Sequence, residues 1–125
     1  MRYAFVPTRT GSRRPRMIFI VFRLDARPDK RDEFLDGIVR YSEQVRAEPG
    51  NLVFSCYESV ERANEFTVLA NYEDQAAGEA HVSSEHAKSF FGWLPSVVTE
   101  QPKIVFTELP GEGWGPMGEV VMENA

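Results

Sequence analysis

Met17-Ile18-Phe19-Ile20-Val21-Phe22-Arg23-Leu24 is apolar at seven of its eight positions and too short for a buried helix. It reads as a strand. Its two parities are both apolar, with Ile18, Ile20, Phe22 and Leu24 on one side and Phe19 and Val21 on the other. A strand with one wet face would alternate, so this one belongs to a sheet covered on both faces.

Working outward, Phe34, Leu35, Ile38, Val39, Ser42 and Val45 recur at helical spacing, with charged residues between them. Pro28 and Asp29 suit the start of that helix, and Pro49-Gly50 its end. Leu52–Ser59 and Glu65–Tyr72 are strand-like runs joined by a polar loop, which makes an antiparallel hairpin. From Asp74 the pattern is helical again. It is interrupted near Val82 and Ser83, with Ser83 as a plausible new cap, and then Ala87, Phe90, Phe91 and Leu94 form an apolar face that stops at Pro95. Lys103–Leu109 is the last strand.

The order is β-α-β-β-α-β, which predicts an α+β, ferredoxin-like sandwich with an antiparallel four-stranded sheet and both helices on one face. Strand two repeats the two-sided pattern, with Leu52, Phe54 and Cys56 against Val53 and Tyr57. Two helices cover one face only. The other is expected to meet its copy on a second chain, giving a homodimer. The competing expectation is that the C-terminal tail folds across it.

The sequence divides into a basic arm at residues 1–16, read as disordered or as a mis-called start, a domain at 17–109 and a flexible Gly- and Pro-rich tail at 110–125. Trp114 and Val120-Val121-Met122 in that tail are candidates for docking onto a neighbour. Five of the 14 basic residues fall in the arm, which leaves nine against 19 acidic residues in the remainder. That acidic balance argues against nucleic acid as a partner. No apolar run approaches the roughly 18 residues of a membrane span, and the stretch after the arm is broken by Arg23 and Asp25 where an export signal would need to be continuous. A single cysteine, Cys56, fits a reducing compartment, and the expected location is the cytoplasm.

Both histidines of the chain lie in His81-Val82-Ser83-Ser84-Glu85-His86, at the break in the second helical region and downstream of Tyr72. On a continuous helix they would point about 140° apart, and the segment offers no further ligand beyond Glu85, so no metal is expected. An imidazole aimed into a cleft by a helix break suits general-base work. The opposing reading is that both histidines cap helices or face solvent. Phe22, Phe54, Phe90 and Trp93 are candidates to line an apolar pocket, and most of the aromatic residues must simply be core. Cys56 reads as a small core residue before a nucleophile. Gly-rich phosphate loops, nucleophile elbows and paired-cysteine motifs are absent from the sequence.

Glu48-Pro49-Gly50 leading into strand two, the run Phe66 to Tyr72 followed by Glu73-Asp74-Gln75-Ala76-Ala77, and His81-x-x-Ser84-x-His86 together resemble the antibiotic biosynthesis monooxygenase family, or ABM domains, over about Met17 to Leu109. The resemblance implies a ferredoxin-like homodimer whose two sheets form a shared α+β barrel. It implies oxidation of quinols or polycyclic anthrone-type substrates by dioxygen, with no flavin or metal cofactor. His81 and His86 match the family's two histidines, His81 to orient or deprotonate substrate and His86 to support it, and Tyr72 stands where the family usually carries Trp. Many members also carry a Glu two residues earlier, where this chain has Ala70. The heme-degrading branch uses an Asn and a Trp where this chain has Phe22 and Tyr72, which disfavours heme. Relatives that isomerise a small phosphorylated signal metabolite would need a cation such as Arg23 in the pocket. A non-catalytic, hydrophobic-ligand-binding dimer is the remaining alternative.

Overall fold

The computed structural model describes residues 16–111 and 113–123. Four strands, β1 (Arg16–Asp25), β2 (Asn51–Glu58), β3 (Glu65–Tyr72) and β4 (Lys103–Pro110), form one antiparallel sheet in the order β2-β3-β1-β4. Helix α1 (Arg31–Arg46) follows a single 3-10 turn at Pro28–Lys30, and α2 (Gln75–Ser83) and α3 (Glu85–Trp93) run on through a second such turn at Leu94–Ser96. This is the ferredoxin-like α+β sandwich that the element order implies. The expected arm, residues 1–16, lies outside the described residues except for Arg16, which opens β1 and pairs with Glu108 at 2.8 Å.

The most apolar strand takes a central place, where both its edges are paired. Ile18, Ile20 and Leu24 of β1 meet Tyr72, Ala70 and Phe66 of β3 on the helix-facing side, and all six are buried. Against them α1 lays Phe34, Gly37, Ile38, Tyr41, Ser42 and Val45. Two corrections to the helical pattern follow. Val39 is exposed and Leu35 only half-buried, while Tyr41 and Gly37 belong to the buried stripe. Gly37 is there because the Trp93 indole lies directly on it, and a Cβ at that position would come within 2.2 Å of Cη2.

The interruption of the second helical region is real, and its cap is Ser84, not Ser83. Ser84 is extended (φ −69°, ψ 151°), its hydroxyl accepts from the Ala87 amide at 3.2 Å and donates to the His81 carbonyl at 2.6 Å, and its amide donates to the same carbonyl at 3.1 Å. One side chain therefore ends α2 and starts α3. Asp74 caps α2 in the same way, accepting from the Ala77 amide at 2.9 Å.

The outer face of the sheet carries Phe19, Val21, Leu69, Val53, Tyr57 and Val105, with Tyr57 56% and Val105 61% exposed. Leu52 falls out of the expected strand-two alternation because of a register shift between Asn51 and Val53, and it too is exposed. The start of the C-terminal tail crosses one corner of this face within the same chain. There the Trp114 indole N–H donates to Asn71 Oδ1 at 2.9 Å, and Gly113 sits over Met17 and Leu52. Val120, Val121 and Met122 are exposed.

Candidate active site

Glu48 lies in the turn after α1, where the backbone is held in several ways. Its amide donates to the Val45 carbonyl at 2.9 Å, and Gly50, at φ +83°, accepts from the Glu73 amide at 2.8 Å. A side chain at Gly50 would also strike Ala77, whose Cβ would be 2.5 Å away. Only glycine meets both demands. The consequence is that the turn is clamped against the β3–α2 junction, and the Glu48 carboxylate is delivered beside the break between α2 and α3.

At that break the chain changes direction, so the angular argument for a continuous helix does not apply. His81, on the last turn of α2, and His86, on the first turn of α3, have ring centroids 6.5 Å apart. Both address the same carboxylate. His81 Nδ1 is 2.9 Å from Glu48 Oε2 and 3.1 Å from Oε1, and His86 Nε2 bonds the same Oε2. His81 Nε2 lies 3.4 Å from the Tyr41 hydroxyl. Because a carboxylate only accepts, Nδ1 of His81 carries the proton and Nε2 presents its lone pair.

His81 is 5% exposed. Burial pushes its pKa below the ordinary imidazole value, against the pull of the Glu48 carboxylate, and the neighbouring His86 ring pushes it further down. The neutral, proton-accepting imidazole is thereby favoured at neutral pH.

In front of His81 is a cavity of about 560 Å³ between the sheet and the helical layer. Ile20, Phe22, Phe54, Ala70 and Ile104 form its sheet wall, and Tyr41, His81, Phe91 and Leu94 form its helical wall. The segment Val98 to Pro102 closes one side. That segment is tied to the end of β1 by the Thr99 amide on the Asp25 carbonyl and by the Arg27 amide on the Val97 carbonyl, at 2.9 and 2.8 Å. Among the described residues no Lys or Arg lines the cavity, and the polar side chains that do include His81, Tyr41, Thr99, Glu100 and Gln101.

The residues singled out from sequence are divided by the fold. His81, Phe22 and Phe54 line the cavity. Tyr72 is fully buried, with its ring 5.0 Å from that of His81, and it buttresses the imidazole from outside the lining. His86, Phe90 and Trp93 lie on the other side of Tyr41, along a more open groove of about 590 Å³ between α1 and α3. Phe90 stacks flat on Tyr41 at 3.9 Å, so its role is to fix Tyr41. Cys56 is half-buried in the core, where burial and then the Glu58 charge push its thiol up to about 11, which makes it a poor nucleophile. Arg23 is exposed on the outer face, opposite Thr67 and Lys103.

Two members of the site escaped sequence reasoning. Tyr41 sits at the helical spacing of the buried stripe, three residues after Ile38 and four after Gly37, and that periodicity was the available signal. Glu48 opens the Glu48-Pro49-Gly50 stretch that carries part of the family resemblance, but nothing local marks it as the partner of a histidine 33 residues away. Ala70 lines the cavity and brings no carboxylate to it, and the carboxylate that meets the His81 imidazole is that of Glu48. The His81–His86 segment itself adds no ligand beyond Glu85, but Glu48 reaches it from a distant turn, and Glu48, His81 and His86 converge within 4.8 Å of one another.

The fold is a ferredoxin-like α+β sandwich with a buried, carboxylate-backed imidazole at the wall of a largely apolar cavity. The sequence pattern described as antibiotic biosynthesis monooxygenase matches residues 17–93, and the chain belongs to that family. It is 30% identical over 93 residues to the Bacillus subtilis protein named "Putative monooxygenase YcnE", an overlap covering 74% of this chain and 98% of the relative. Solved structures with the same fold include two described as "putative antibiotic biosynthesis monooxygenase". The Caulobacter crescentus protein has a TM-score of 0.70 at 24% identity, covering 74% of this chain and 89% of the other. The Deinococcus radiodurans protein has a TM-score of 0.72 at 20% identity, covering 81% and 99%. Among the described residues no helix is long and apolar enough to cross a membrane.

Proposed function

We propose that the chain is a monooxygenase that oxidises a quinol or anthrone-like polycyclic aromatic with dioxygen, using its own side chains and no cofactor. The observation that carries this reading is the buried His81 imidazole, backed by Glu48, at the wall of a cavity otherwise lined mainly by Ile, Phe, Leu, Val and Pro. An acidic phenol or enol seated there loses its proton to His81 Nε2, and Glu48 stabilises the imidazolium that forms. The electron-rich anion passes an electron to dioxygen, and the water-poor cavity protects the radical pair until it combines. For an anthrone-type CH2, one oxygen atom ends in the new carbonyl and the other leaves as water with the two hydrogens.

Among the described residues a small phosphorylated substrate finds no Lys or Arg lining this cavity, since Arg23 points from the other face. In this reading His86 and Tyr72 support His81 rather than touch substrate, and Phe22 and Phe54 supply the apolar walls. The apolar outer face, with Tyr57 and Val105 exposed, supports the homodimer as the working form.

The test is oxygen consumption by purified protein against a panel of quinols and anthrones. Uptake above autoxidation that falls in His81→Ala supports the reading. Uptake equal to background across the panel overturns it in favour of a non-catalytic binding dimer.

A further inference from the structure

The cluster of Glu48, His81 and His86 has a second chemical capacity. Two imidazoles and one carboxylate are the donor set of three-ligand zinc-type sites, in which the ion keeps one position open. We propose that these three side chains bind a divalent first-row transition ion of zinc-like character. This inference does not rest on the monooxygenase reading.

Four features of the structure support it. First, the three ligand atoms already lie within 4.8 Å of one another. A tetrahedral ion needs them about 3.3 Å apart, which small rotations of the side chains supply. Second, the ligands come from rigid backbone, Glu48 from the turn clamped at Gly50 and the histidines from the Ser84-capped junction of α2 and α3. Third, His81 has a partner behind it. With an ion on Nδ1, its remaining proton moves to Nε2, where the Tyr41 hydroxyl at 3.4 Å accepts it, the usual outer support of a metal-bound histidine. Fourth, there is a way in. His86 lines the open groove between α1 and α3, so an ion arrives from the helix side without crossing the apolar cavity. Two imidazoles among three ligands favour such an ion over calcium or magnesium, which prefer all-oxygen sets.

Ion binding and the proton-accepting tautomer exclude each other, because an ion on Nδ1 leaves Nε2 protonated and without a lone pair. The site therefore alternates between a base and a metal centre.

The experiment is isothermal titration of zinc chloride into full-length, chelator-stripped protein without substrate, alongside thermal melts and cobalt(II) absorption spectra. These two histidines are the only ones in the chain, so loss of binding on their removal is attributable. The expected result is one ion per chain, a melting temperature that rises with zinc, and visible cobalt bands of tetrahedral intensity. His86→Ala, at a partly exposed position where it should not disturb folding, and Glu48→Gln should each weaken binding by more than about tenfold, the least that loss of even an outer-shell partner costs. Their unliganded melts report whether they fold. No saturable heat in the wild type, or equal binding by wild type and a folded His86→Ala, overturns the site.

Discussion

Glu48 Oε2 lies 2.9 Å from His81 Nδ1 although the two residues are 33 positions apart, one in the turn after the first helix and one at the end of the second. The contact fixes the imidazole tautomer and ring plane within a wall that is otherwise almost apolar. Replacing the acid by its amide keeps the shape and removes the charge that stabilises imidazolium. Glu48→Gln should lower kcat for oxygen uptake by about a hundredfold or more, the scale of general-base catalysis, with KM little changed. Steady-state oxygen-electrode kinetics check this. A rise in KM at constant kcat would instead make Glu48 part of substrate binding.

Gly37 and Trp93 form a close helix–helix contact that tolerates no Cβ. Gly37→Ala drives the indole away, and overpacking of this kind costs about 1–3 kcal/mol. The thermal midpoint should fall and tryptophan emission should shift, while Gly37→Ala combined with Trp93→Leu should cost less than the two single changes added together.

Arg31 holds Glu58 through two hydrogen bonds of 2.6 and 2.7 Å and reaches the Asn64 side chain at 2.7 Å, while Glu58 also accepts from the Asn64 amide. Asn64 sits at φ +69°, so this set pins the hairpin turn. The Arg31 guanidinium first, and then the Asn64 amide, hold the Glu58 carboxyl down at about 2. A depressed carboxylate contributes stability that is present above its ordinary pKa and lost as the pH falls toward the folded value. Wild type should therefore exceed Glu58→Gln in denaturant midpoint at pH 7, with the gap closing progressively below about pH 4.5 and nearly gone at pH 2. A gap independent of pH would show that the charge does not matter.

The thiol of Cys56, pushed up to about 11, should be nearly inert in the folded protein. Alkylation at pH 8 should be slow in buffer and fast in denaturant, and Cys56→Ser should keep oxygen uptake close to wild type.

The two-sided sheet sets an expectation for assembly. Light scattering should give about twice the 14.2 kDa chain mass, and Val105→Lys, at an exposed outer-face position opposite Val21, should shift the protein toward monomer without loss of helix signal. A wild-type monomer at micromolar concentration would return the outer face to the tail, which already touches it through Trp114 and Asn71.

What could be read from the sequence is what depends on local pattern. The apolar run of β1, the hairpin around Val60–Asn64, the helical periodicities and the break before His86 gave the order of elements, because burial and backbone preference act over a few residues. The shift of the cap from Ser83 to Ser84 and the exposure of Val39 and Leu52 are errors of one position or one face, where packing and a strand irregularity overrode the pattern.

The site was legible only in part. His81, Phe22 and Phe54 are identifiable as residue types suited to a base and an apolar wall, while Phe90 and Trp93, candidates for the same wall, line the groove between α1 and α3 instead. A helical face does not say which of two flanking spaces its residues enter. By itself, then, the sequence determined the β-α-β-β-α-β order, the helix break and the pair of histidines. The tertiary structure alone decided that Glu48 meets both of them, since the direction change at Ser84 and the clamp at Gly50 act through contacts between distant segments, which no local periodicity records.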